Sequence, residues 1–160
     1  MENHQKVEIC LNYLSNLKEE LQRLERAETE YIQFVVLVQT IEVLGAFLDA
    51  KPMKAREQSA KRFGAAVKYL LGGRYRLLNE KNMLYDKLRN QLVHTFIPGR
   101  DLLLLRNITK GKEHLQYSDG KLVLINQDFF RDIYAAIERL SELLTTGKLK
   151  PKTIALINEN

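Results

Sequence analysis

The residues best suited to chemistry lie mid-chain, in the run Arg89-Asn90-Gln91-Leu92-Val93-His94. On a helix, positions four apart share a face, so Asn90 and His94 align and Arg89 stands about 100° round the axis from Asn90. Asp86 extends this polar strip by one turn. Arginine carries a permanent charge on a planar fork that matches phosphate oxygens. Histidine gives and takes protons near neutrality, and a helix C-terminus favours its charged form. Together they suit metal-free cleavage of RNA. The 2′-hydroxyl attacks the neighbouring phosphorus, histidine moves a proton, and arginine stabilises the charge growing on the phosphoryl oxygens. DNA lacks that internal nucleophile.

A structural role for the same residues is open as well. Arg89 can pair with Asp86 or with Glu42, whose carboxylate within an apolar helix needs a partner, and His94 can cap helix-end carbonyls. Other familiar chemistries are missing. Gly72-Gly73 lacks the spacing and strand–helix context of a phosphate-binding loop. His4, His94 and His114 are scattered, and there are no cysteine pairs, so no metal and no cofactor is expected. A serine-hydrolase elbow is absent. The six phenylalanines sit mainly in inferred cores, there is no tryptophan, and Tyr75 and Tyr85 could face the cleft but fit core or rim packing better, so no stacking platform for single strands stands out.

The polar strip must be held by helices. Val7, Cys10, Leu14, Leu17, Leu21 and Leu24 alternate at three and four residues, predicting a first helix over about Glu2–Arg26. Its seam suits an antiparallel neighbour in the same chain or a partner subunit. The lone Cys10 reads as a buried thiol. A second helix, about Glu28–Asp49, is apolar nearly all round and therefore central; Lys51-Pro52 ends it. The third, about Lys54–Leu71, buries Phe63, Ala66, Val67, Leu70 and Leu71 and stops at Gly72-Gly73. The fourth, about Tyr75–Phe96, turns Leu84, Leu88 and Leu92 to the core and closes at Pro98-Gly99. The period then changes to short strands: Leu102–Ile108, and Glu113–Tyr117 with Lys121–Ile125 around Ser118-Asp119-Gly120, an Asp-Gly hairpin signal. Asn126 is expected to cap a final helix over about Gln127–Thr145.

The fold class that follows is mainly α. It is an antiparallel bundle of about five helices, with a small β-hairpin insertion near 102–125 before the last helix. Residues 1–146 form one domain, and a basic tail, 147–160, is expected to be loosely held.

Charge is unevenly spread. The 160-residue chain carries +5, yet Lys51–Arg76 alone carries eight basic residues against Glu57, leaving the remainder slightly acidic. Lys54, Arg56, Lys61, Arg62, Lys68, Arg74 and Arg76 are candidates to track an RNA backbone, or form a solvated helix face. The start, Met-Glu-Asn-His-Gln, lacks a secretory pattern. The apolar stretch Tyr31–Leu48 is interrupted by Gln33, Gln39, Thr40 and Glu42, so no membrane span and a cytoplasmic location are expected.

Leu84-Tyr85-Asp86-Lys87-Leu88-Arg89-Asn90-Gln91-Leu92-Val93-His94 resembles the signature of the HEPN superfamily (higher eukaryotes and prokaryotes nucleotide-binding), an arginine followed by a polar residue and, several positions later, a histidine. The region from Ile41-Glu42-Val43-Leu44-Gly45 through Pro98-Gly99 is similar to uncharacterised bacterial proteins of this type. The resemblance implies a helical bundle that forms a homodimer and, in active members, a metal-independent endoribonuclease whose two motif copies meet across the dimer cleft. It implies His94 as acid/base, Arg89 as phosphate ligand and Asn90 as polar support; Asp86 on the strip and Glu42 in the apolar helix are, by their positions, the candidate supporting polar groups. Such domains serve in defence, toxin–antitoxin and RNA-processing systems, some with a cognate regulatory protein. Others bind a nucleotide or act as non-catalytic, antitoxin-like or regulatory interaction modules.

Overall fold

The computed structural model describes residues 2–29 and 31–154. It is mainly helical, with a small sheet placed before the last helix. Helix α1 spans Asn3–Glu25 and α6 spans Asn126–Thr145. The α1 stripe buries Cys10, Leu14 and Leu21 within the chain's own core. Tyr134 Oη of α6 donates to Glu25 (2.6 Å), and Lys18 pairs with Glu138 across the same contact. The seam of α1 is thus filled from inside the chain. Burial also pushes the Cys10 thiol pKa up, in keeping with an inert core thiol.

Helix α2, Ile32–Ala46, buries one broad face, with Phe34, Leu37, Val38, Ile41 and Leu44. Val35, Gln39, Glu42 and Val43 on the other side are only half-buried and Ile32 is exposed, so the helix is not enclosed all round. Each fully buried side chain contributes roughly 1.5–3 kcal/mol when removed from water. Helix α3 starts later than its sequence pattern suggests, at Ser59–Ala66, because residues 51–58 form turns in which Glu57 takes φ 56°. It runs on as a wider π turn, Val67–Leu71, closed by Gly72 N–H to Val67 O at 2.7 Å. Gly72 and Gly73 take φ 61° and 49°, a stop that only glycine makes without strain.

The expected fourth helix is broken. Helix α4 covers only Gly73–Leu78 and is followed by the short 3₁₀ turn Glu80–Asn82, where Lys81 and Asn82 take φ 54° and 61°. Asn79 Oδ1 then accepts the Tyr85 N–H at 3.0 Å. Asparagine competes with helix through such local bonds, and it tolerates the left-handed region. The leucine pattern resumes in the π segment Tyr85–Asn90 and helix α5, Gln91–Thr95.

Strand β1, Leu102–Leu105, lies parallel to β3, Lys121–Ile125, with Leu102 opposite Leu122. Strand β2, Tyr117–Ser118, pairs antiparallel to β3, giving the order β1-β3-β2. Asp119 and Gly120 both take positive φ (51° and 75°), as a tight hairpin turn requires. The insertion is therefore a three-stranded mixed sheet, larger than a hairpin. Asn126 is not a side-chain cap. It is buried, and its Nδ2 donates to Gln33 Oε1 on α2, stapling the sheet–α6 junction to the central helix.

Residues 147–154 are not loose. Leu149 N–H bonds Leu143 O at 3.0 Å, and Lys152 is only 8% exposed. Its ammonium donates to Asp49 Oδ1 (2.9 Å) and to the carbonyls of Asp49 and Lys51. From the other side Arg62, 5% exposed, donates to Asp49 Oδ2 (2.8 Å), Met53 O (2.7 Å) and Pro52 O (2.8 Å). Residues 155–160 of the expected tail lie outside the described residues. Next to this node α2 and α3 touch at backbone distance: a Cβ on Gly45 would stand 1.8 Å from Arg62 O.

Two expectations follow. Gly45→Ala forces the helices apart and costs at least ~2 kcal/mol, measured by urea unfolding. Burial would raise the Asp49 pKa, but hydrogen bonds from Arg62, Lys152 and the Lys51 N–H, with the Lys152 charge, hold it at about 2 against an ordinary 3.8. A depressed carboxylate stabilises the fold above its unfolded pKa and loses that contribution as pH falls toward the folded value. Acidification from about pH 4 to pH 2 should therefore cost about 2 kcal/mol through this group alone. In Asp49→Asn the acid-dependent loss of stability, followed by urea melts across that range, should be smaller by about the same amount.

Candidate functional site

Arg89 lies in the π segment and points to α2. Its Nε donates to Glu42 Oε2 at 3.0 Å and its Nη2 stands 2.8 Å from the same oxygen as an ion pair, while Nη1 donates to Asn90 Oδ1 at 3.3 Å. Ser59, first residue of α3, donates to the other Glu42 oxygen at 2.7 Å. The guanidinium also stands 5.5 Å from the Tyr85 ring centroid, within cation–π range. Both partners are mostly buried, with 12% of the Arg89 side chain and 15% of that of Glu42 exposed. Of the two pairings open to Arg89, Glu42 is the one formed. Arg89, Asn90 and Glu42 thus come together, joined by Ser59.

Asp86 and His94 stay outside this hydrogen-bonded cluster. Both are exposed, and among the described residues neither has a side-chain hydrogen bond. His94 is in the last turn of α5, whose end is marked by Phe96 at φ 55°. Thr95 Oγ1 ties the turn by donating to Gln91 O (2.7 Å) and accepting the Ile97 N–H (3.1 Å). This leaves Phe96 and Ile97 54% and 67% exposed beside His94. Adjacent large apolar groups held outward by a left-handed backbone are unusual for a free surface.

The basic segment divides. Arg62 is buried on Asp49, Pro52 and Met53, which removes it from the backbone-tracking candidates. The Nε of Arg74 is spent on Leu115 O. Lys54, Arg56, Lys61, Lys68, Arg74 and Arg76 are exposed, with Lys68 Nζ 4.9 Å from the Tyr69 ring centroid.

A second polar cluster went unnoticed in the sequence. Tyr75 is buried, and its hydroxyl lies 2.8 Å from His114 Nε2 and 2.9 Å from Asp132 Oδ2. The Ile125 N–H donates to His114 Nδ1 at 2.9 Å, which places the imidazole proton on Nε2. His114 therefore donates to the Tyr75 oxygen, and Tyr75 donates to Asp132. Burial, then the Asp132 charge, raises the Tyr75 phenol well above its usual pKa; it is a fixed donor here and not a base. Burial acts against the Asp132 carboxylate too, but the nearby His114 imidazole, 3.4 Å away, and the Tyr75 hydroxyl bond outweigh it and lower its pKa. These residues lie 39 and 57 positions from Tyr75, so no local spacing reports them.

Among the described residues no group of three or more histidine, cysteine, aspartate or glutamate side chains is placed to hold a metal, and no helix is long and apolar enough to cross a membrane. No family model matches the chain, and no curated protein or solved structure matches it either.

Removing Glu42 strands a mostly buried guanidinium. Glu42→Ala should cost about 3 kcal/mol in chemical denaturation. In an Arg89→Met background the same change should cost distinctly less, and a double-mutant cycle measures the difference as coupling.

Proposed function

We propose that this chain is a HEPN-like, metal-independent endoribonuclease that works as a homodimer, with Arg89 and His94 as its working groups. The reading rests above all on the anchored guanidinium. Glu42 Oε2 takes the Nε–H of Arg89 and pairs with its charge, leaving terminal N–H donors beside Asn90, a few residues before an exposed and unbonded His94. A pre-oriented fork loses little freedom when it meets a phosphate, which is how fixed donors favour a transition state.

In this mechanism Arg89 binds the non-bridging oxygens of the scissile phosphate. His94 of one protomer takes the proton of the 2′-hydroxyl as its oxygen bonds to phosphorus. The partner's copy of the same histidine gives a proton to the departing 5′-oxygen as the P–O5′ bond breaks. The products are a 2′,3′-cyclic phosphate and a 5′-hydroxyl end, and neither step needs a metal. Phe96 and Ile97, next to His94, supply apolar surface for the subunit contact. Lys54, Arg56, Lys61, Lys68 and Arg76 supply exposed charge for the RNA backbone. A cytoplasmic role in defence, toxin–antitoxin control or RNA processing is consistent with such an activity.

One observation favours a second reading, a non-catalytic module that binds a nucleotide or a regulatory protein partner. A guanidinium already neutralised by Glu42 and 12% exposed has less charge to offer a phosphate. Cleavage assays separate the two. Wild-type protein should cut RNA in the presence of a chelator, leave cyclic phosphate ends, and fail on a substrate with 2′-deoxyribose at the cut site. His94→Ala should lose at least ~100-fold in rate with an unchanged melting temperature, since the side chain is exposed and unbonded. Cleavage that survives in His94→Ala removes this residue from the mechanism. Absence of cleavage by a homodimer that still binds RNA or a nucleotide favours the second reading.

A further inference from the structure

An open cavity of about 460 Å³ lies where the 106–116 loop crosses the start of α6. Its polar wall contains His114 and Asp132 of the Tyr75 cluster, and its apolar wall is Ile108, Leu115 and Ile125. The backbone here is strained. Leu115, buried and not a glycine, takes φ 63°; its N–H is held by Val123 O at 2.7 Å and its carbonyl by Arg74 Nε. A left-handed leucine costs about 1–3 kcal/mol, and such strain gathers where a site is being shaped. The twist turns His114 inward and leaves its neighbour Glu113 at the surface.

The charges on this cavity are the informative part. Arg131 is matched with Asp128 and Asp132, and Lys112 with Asp119. Two charges remain without a side-chain partner among the described residues: the terminal nitrogens of Arg74 and the carboxylate of Glu113. They are opposite in sign and line the same cavity. A simple anion would satisfy the arginine and face the glutamate; a simple cation would do the reverse. A ligand that fits both carries a carboxylate for the Arg74 fork and an ammonium for Glu113. The remaining wall asks for an aliphatic group.

We propose that this cavity binds a small zwitterion of the α-amino-acid class with an apolar side chain. The site is separate from the Arg89 cluster and does not depend on the ribonuclease reading. The Tyr75–His114–Asp132 cluster acts as a rigid floor, its hydrogen bonds already closed. Arg74 and Glu113 supply the recognition.

The full chain is titrated by calorimetry with L-leucine, L-methionine and L-phenylalanine, and the His114 ring signals are followed by NMR. The controls are 4-methylpentanoate, isoamylamine, inorganic phosphate and adenosine monophosphate. At least one amino acid should bind one-to-one with a dissociation constant of roughly 10 μM–1 mM and shift the His114 signals. 4-Methylpentanoate and isoamylamine, leucine without its ammonium and without its carboxylate, should bind at least ~30-fold more weakly. Glu113→Gln, on an exposed side chain, should weaken binding about tenfold or more, as should Arg74→Gln checked for folding by circular dichroism. The proposal is overturned if no amino acid shifts His114, if phosphate or the nucleotide binds as well as the amino acid, or if Glu113→Gln binds with wild-type affinity.

Discussion

The Asp49 carboxylate holds the architecture together. It stands at the exit of the central helix with two nearly buried cations on it, Arg62 from α3 and Lys152 from near the C-terminus. One negative charge does not balance two positive ones. The shortfall is met by backbone oxygens: Arg62 also takes Met53 O and Pro52 O, and Lys152 takes the carbonyls of Asp49 and Lys51. They belong to the turns that follow α2, and Pro52 O also accepts the Ala55 N–H. The node therefore shapes the turns after α2 and docks the 147–154 segment at once. Removing Asp49 would leave two nearly buried cations without their counter-charge, the costly way to break such a node.

The candidate site inherits its geometry from that node. Arg62 presses α3 against Gly45 of α2, and the same contact brings Ser59 to Glu42 three residues up the central helix. Ser59 holds one carboxylate oxygen and leaves the other for Arg89. The path from a structural ion pair to the guanidinium proposed to meet phosphate is thus short and made of direct contacts. A similar economy governs the charge of the chain. The cluster of lysines and arginines near residues 51–76 looks uniform as a string of letters, yet the fold withdraws Arg62 into the core and commits the Nε of Arg74 to a carbonyl.

Much of this was legible in the residue order, for physical reasons. The three–four spacing of α1 and α6 reports one buried stripe each, and Asp119-Gly120 reports a turn with two positive φ values. Glu42 announced its need for a partner by sitting in an apolar helix, and Arg89 is that partner. What escaped is non-local or masked. The Asn79–Asn82 break hides beneath a leucine pattern that resumes at Leu84. Parallel pairing of β1 with β3 leaves no signal in either strand alone. Lys152 lies in a basic, proline-containing stretch that resembles solvent-facing chain, and its burial depends on acceptors a hundred residues away. Asn126, a good cap by type, is used to hold Gln33 instead. The Tyr75–His114–Asp132 contact needs three elements to converge.

The wide turn Tyr85–Asn90 bears on how this region tolerates change. An ordinary helix advances each side chain by about 100°, and a π turn spreads one extra residue around the same circuit. Arg89 faces α2 from within that wider turn. Closing the bulge to regular pitch with no residue removed would re-index everything downstream by about 100°. The guanidinium would swing away from its carboxylate, and Leu92 would leave the interior. The phase of the helix, as much as the identity of its residues, is what keeps the arginine on target.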